Sequence, residues 1–176
     1  MVASVTGSKK GSEIPLSRPT RATFVLATPP LTSGQRTLAR VHLAQTILGI
    51  DSAEIVNLFP LPTASVVQIS QVGKDANVWI GGRESIHSAI ARSTDVVLAF
   101  GASEPTGSAR QHHRKQVAWL MKVLTTSELN VWTVGGRPTH PSRWQRHTHK
   151  AFPNLPFRLA LEKSLTPQSL QDFITS

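Results

Sequence analysis

Residues 22–49, ATFVLATPPLTSGQRTLARVHLAQTILG, decide the fold, because a strand pattern and a helix pattern follow one another inside them. ATFVLAT is short, apolar and stopped by Pro29-Pro30, which is how a buried strand reads. Beyond it Leu38, Val41, Gln45 and Leu48 fall on one helical stripe, and Gly49 supplies a stop. The alternation recurs downstream. AEIVNLFPL (53–61), TDVVLAFG (94–101) and LNVWTVGG (129–136) read as the second, third and fourth strands. Between them, residues 75–93 read as helical from Asp75, with a weak point at Gly81-Gly82. SARQHHRKQVAWLMKVL (108–124) is an amphipathic helix that turns Val117, Leu120, Met121 and Leu124 inward. FRLALE (157–162) reads as an edge strand before a closing helix from about Thr166, where Thr-Pro offers a cap and a first-turn proline.

Apolar strands alternating with amphipathic helices predict an α/β three-layer sandwich. Its mainly parallel central sheet has four or five strands, covered on both faces through right-handed crossovers. Residues 1–21, rich in Ser, Gly, Lys and Pro without hydrophobic periodicity, read as a flexible basic N-terminal arm, and 22–176 as a single α/β domain.

The chain has 176 residues, with Lys+Arg 19 against Asp+Glu 10, a formal charge of +9. That imbalance favours polyanionic partners, DNA or RNA first and an anionic surface second. No apolar run approaches the roughly 18–20 residues of a membrane span, and the first residues lack the apolar core of a signal peptide. The expectation is a cytoplasmic protein with no membrane partner. The absence of Cys excludes a disulfide framework and thiolate metal sites. His112-His113, His147 and His149 lack metal-ligand spacing and nearby carboxylates, so neither a metal nor a cofactor is expected. Phosphate-loop, nucleophile-elbow and zinc-deaminase signatures are missing, which sets those three enzyme classes aside. Oligomeric state is not readable from the residues.

Folds of this kind bind ligands outside the carboxyl ends of their strands. At that edge lie Thr28-Pro29-Pro30, Asn57, Gly101-Ala102-Ser103 and the turn GGRPTHPSRWQRHTHK (135–150). The turn holds Arg137, Arg143, Arg146 and Lys150 around Trp144, with no acid. Basic residues interleaved with an aromatic suit phosphate contact plus base stacking; the alternatives are a solvated loop and a Trp144 folded into the core. Arg110 and Arg114, on the first turns of their helix, are further phosphate candidates. An amide at Asn57 either closes the local structure or presents a donor and an acceptor to a base edge. We expect Trp144 to face nucleic acid together with Arg143 and His140.

Three pieces, VLATPPLTSG, EIVNLFPLPT, and GGRPTHPSRW following VVLAFGA, resemble the bacterial and phage family catalogued as domain of unknown function 1643, over about residues 22–150. That family has Asn-Pro-Ser after its first strand, then Val-Asn-Leu-Phe, a Trp-Gly pair and a late His-Pro turn. This chain keeps Val56-Asn57-Leu58-Phe59 and His140-Pro141, has Phe100-Gly101 for Trp-Gly, and departs at Thr28-Pro29-Pro30.

The layout is similar, more distantly, to the uracil-DNA glycosylase superfamily. That resemblance implies that Thr28 stands at the water-orienting position, Asn57 reads a flipped base and His140 stabilises charge on a leaving base. It further implies that Ser142 touches phosphate and that Trp144 sits where a minor-groove wedge belongs. A neutral hydroxyl is a poor water activator compared with a carboxylate. The expected function is therefore nucleic-acid binding on a uracil-DNA-glycosylase-like fold, with catalysis left open. The alternatives are an active N-glycosylase or hydrolase on a nucleobase–sugar bond in DNA or a nucleotide, and a non-enzymatic interaction protein using a basic face.

Overall fold

The computed structural model describes residues 18–169; residues 1–17 of the expected arm and residues 170–176 lie outside that range. Thr20 is pinned ahead of the first strand, its N–H and hydroxyl donating to the Asp51 carboxylate at 2.7 and 2.9 Å. The strands are β1 (Arg21–Leu26), β2 (Ser52–Asn57), β3 (Asp95–Ala99), β4 (Asn130–Val134) and β5 (Leu165–Pro167). The helices are α1 (Gln35–Ile47), α2 (Val66–Val72), α3 (Ala76–Gly81), α4 (Arg83–Ala91), α5 (Gly107–Thr125), α6 (Pro141–Ala151) and α7 (Phe157–Ser164).

The five strands form one sheet in the order β2-β1-β3-β4-β5, with the first four parallel and β5 antiparallel to β4. Strands covered on both faces read as continuous apolar runs, and β1 and β3 do so. Phe24, Leu26, Val97 and Ala99 pack on one face with Val41 and Ala44 of α1, Trp144 of α6 and Leu161 of α7. Val25, Val96 and Leu98 pack on the other with Ile86 and Ile90 of α4 and Leu120 and Leu124 of α5. The result is the expected three-layer α/β arrangement. A small satellite cluster of Phe59, Ile69 and Trp79 ties α2 and α3 to the end of β2.

Several local readings hold. The Asp75 side chain caps α3 by accepting the Asn77 N–H at 2.9 Å, and Gly82 separates α3 from α4. Two C-terminal readings are corrected. FRLALE is helix, not edge strand: α7 turns Ala160, Leu161 and Ser164 inward at helical spacing and leaves Leu159 exposed. Thr166-Pro167 does not begin a helix; it pairs with Thr133 and Trp132 as β5, the sheet's outer strand, where a missing proline N–H deprives no neighbour. Leu38 also leaves its predicted stripe. It is 50% exposed, while Val41 of the same stripe is buried as expected and Ala44 joins it.

Candidate functional site

The order β2-β1-β3-β4 makes the chain reverse its direction of travel across the sheet between β1 and β3, so their outgoing loops part towards opposite faces. A crevice at the carboxyl ends follows from that divergence alone. A cleft of 1130 Å³ occupies the place, lined by Thr28 after β1, Asn57 closing β2, Phe100 and Gly101 after β3, and His140, Ser142 and Arg143 at the start of α6. The three residues expected at a reacting centre, Thr28, Asn57 and His140, therefore share one cleft with two expected phosphate contacts.

His140 is the N-cap of α6 and Pro141 its first residue, a position where proline's missing N–H is no loss and its fixed φ suits the helix. The imidazole does the capping. Its Nδ1 accepts the Ser142 backbone N–H at 3.2 Å and lies 2.9 Å from the Ser142 hydroxyl. Burial pushes the imidazole below its ordinary value, and the Arg143 and Arg40 cations press the same way. A neutral ring whose Nδ1 accepts must carry its proton on Nε2, so His140 offers a hydrogen-bond donor and no base. Arg40 of α1 fastens this turn in place, donating to the Pro141 carbonyl at 2.8 Å and to Gln145 Oε1 at 3.1 Å.

Asn57 sits opposite in chemical character. Its Oδ1 is buried and accepts no hydrogen bond among the described residues. Leaving such an atom unpaired costs about 1–3 kcal/mol, so a donor arriving from a ligand would recover it. Thr28 is already committed. Its hydroxyl donates to the Thr63 carbonyl at 3.3 Å and accepts from the Thr63 hydroxyl at 3.1 Å, stitching the loops after β1 and β2 together. Among the described residues no Asp or Glu lines the cleft. The cleft gathers the Asn57 amide, the His140 imidazole, the Ser142 hydroxyl, the Arg143 cation and the half-buried ring of Phe100.

The predicted cations divide into three groups. Arg143, Arg146 and Lys150 are exposed at i, i+3 and i+7 of α6, a stripe beginning at the cleft and opposite the buried Pro141, Trp144 and Thr148. Arg137 is exposed on the turn after β4 and does not line the cleft. Arg110 and Arg114 share one acid: Arg114 pairs with Glu104 at 2.8 Å and holds that carboxyl below the usual range, while Arg110 stands 3.8 Å from it and donates to the Pro105 carbonyl. Trp144 is corrected outright. It has no exposed surface, packs between α6 and the sheet, and its indole N–H donates to the Thr139 carbonyl at 2.6 Å. The expectation failed because the His-Pro-Ser turn is the first turn of a helix, and Trp144 lies on that helix's inner face.

Reasoning from the residues missed Thr63, Leu31, Leu38 and Val67, all of which line the cleft, and Arg40, which braces it. The signal for α6 was available in Pro141, Trp144 and Thr148 spaced at i, i+3 and i+7 after an X-Pro start. Among the described residues no three His, Asp or Glu side chains gather as a metal site, and no helix is long and apolar enough to cross a membrane. The sequence model of the family described as "Protein of unknown function (DUF1643)" matches residues 17–142. No curated protein and no solved structure matches the chain.

Proposed function

This chain belongs to the DUF1643 family, and from that premise we propose that it binds nucleic acid by receiving an unpaired base in the cleft. The single observation that carries the reading is that Asn57, whose Oδ1 is buried and unpartnered among the described residues, lines the same cleft as His140. An acceptor and a donor set apart in one cleft match a base edge that offers an N–H beside a carbonyl. Phe100 supplies an aromatic surface for the base, and Arg143, Arg146 and Lys150 meet the backbone phosphates. The uracil-DNA-glycosylase-like build belongs to this proposal: a base pocket at the strand ends followed by a phosphate-facing His-Pro-Ser segment.

The reading is binding in preference to hydrolysis, because the Thr28 hydroxyl is a poor base and is bridged to Thr63, and the His140 Nδ1 is engaged in capping α6. Fluorescence anisotropy with labelled oligonucleotides tests it. Asn57→Ala should weaken binding by about 5–150-fold, the 1–3 kcal/mol of a hydrogen-bonding group left without its partner, without lowering the melting temperature. Unchanged affinity would overturn the assignment. Release of free base from the same oligonucleotides, slowed about 10²–10³-fold by His140→Ala, would replace binding with hydrolysis.

A further inference from the structure

The cleft does more than hold one base. Its 1130 Å³ lies above the roughly 300–1,000 Å³ of sites built for one small molecule. Its lining joins polar residues, several of them at strand ends, to exposed aliphatic ones. Leu31 of the β1–α1 loop, Leu38 of α1 and Val67 of α2 all line it and are 57%, 50% and 69% exposed. Large exposed apolar side chains gathered at a ligand edge mark an interaction surface. The loop that carries Leu31 is anchored on both sides of it: Thr28 is tied to Thr63, and Pro30 packs against Gly34, whose φ of +63° favours glycine.

An exposed aliphatic lining discriminates between nucleic-acid forms. A duplex presents phosphates and base edges, with its base faces stacked on one another and unavailable. An unpaired strand presents the faces themselves. From the same cleft, the stripe of Arg143, Arg146 and Lys150 rises about 10 Å along α6. At about 3.4 Å or more of rise per nucleotide, that length spans more than one phosphate of a single strand. α6 contains no acid to oppose them.

Resting on the base-binding reading above, we propose that the site takes single-stranded nucleic acid as two or more adjacent nucleotides. One base reaches Asn57 and His140; its neighbour lies on Leu31, Leu38 and Val67. The chain is thus a reader of unpaired segments and not of intact duplex.

The probes are nucleoside 5′-monophosphates, the matching dinucleotides, short homopolymeric single strands and blunt duplexes of the same length, compared at one salt concentration. Affinity should rise about tenfold or more from mononucleotide to dinucleotide, the scale of one added base contact, and single strands should bind at least as much more tightly than duplexes. The double substitution Leu31→Ser and Leu38→Ser, at exposed positions where folding is not at stake, should erase the dinucleotide gain, and a gain that survives it overturns the placing of the second base on these residues. Equal affinity for mononucleotide and dinucleotide, or tighter duplex binding, overturns the single-strand proposal while the base-binding reading stands. No binding by any probe overturns both.

Discussion

Replacing Trp144 by alanine removes the largest side chain between α6 and the sheet, from a site with no exposed surface. Truncations of buried Trp cost about 3–5 kcal/mol through lost transfer energy and the cavity left behind. The indole N–H also leaves, which strands the Thr139 carbonyl it met at 2.6 Å. For a chain of this size each kcal/mol lowers the melting temperature by about 2–4 °C, so Trp144→Ala should melt about 6–20 °C below the parent. Differential scanning fluorimetry reads the shift directly. Trp144→Phe separates the two contributions: most of the volume stays, and the loss narrows to about 1–3 kcal/mol for the unpaired carbonyl. Nucleic-acid affinity of the folded Phe variant should match the parent, because the ring faces away from the cleft. If Trp144→Ala melts within about 2 °C of the parent yet loses binding, the residue is exposed and the packing argument fails.

Stability should fall with acid in a definite window. His113 is largely buried against Trp79 with an unpartnered Nδ1, and both it and His140 are held below the ordinary histidine value, burial being the first cause in each. The unfolded chain therefore takes up protons near about 6.5 while the folded chain still resists them, so stability is complete above that pH and declines below it. Urea midpoints that stay level between neutral and mildly acidic buffer would refute this, and His113→Gln should flatten the decline. Arg143→Ala and Arg146→Ala should each reduce the salt slope of binding by about one, whereas Arg110→Ala and Arg114→Ala, whose charges already meet Glu104, should change it less; titration of affinity against salt decides. Gly135→Ala should destabilise by about 1–2 kcal/mol or more, since φ is +71° there and a Cβ would strike the His147 ring. His147→Ala should return part of that loss in a double-mutant cycle, and a purely additive pair would show that the ring is not the obstacle.

The central fold was readable because β1, β3 and the inner face of α5 state their burial in composition: buried strands lack polar alternation, and a helix on a sheet needs an apolar stripe. The C-terminal segment was not, for a physical reason. Phe157, Leu159, Ala160 and Leu161 suit a strand or a helix equally well, and only docking on the sheet face decides for the helix. Thr166-Pro167 offers a correct helix start that the neighbouring β4 overrides by pairing. At the site, the convergence of Thr28, Asn57 and His140 followed from strand order, whereas the inward turn of Trp144 depended on recognising Pro141 as a helix's first residue. Charge pairing across helix turns and loops, as between Arg114 and Glu104, leaves almost no sequence signal.

The walls of the cleft hang on loops that leave the sheet after β1, β2 and β3, while the side chains that hold the sheet together lie inside the layers. Change at the outer positions of those loops is thus largely uncoupled from folding, and new specificities can be installed by exchanging 29–33 without repacking the interior, whereas Leu58, Phe59 and Thr63 keep their buried places. His140 is the exception. One ring nitrogen secures a helix, and on the proposed reading the other meets the ligand, so drift at this position harms folding and binding together.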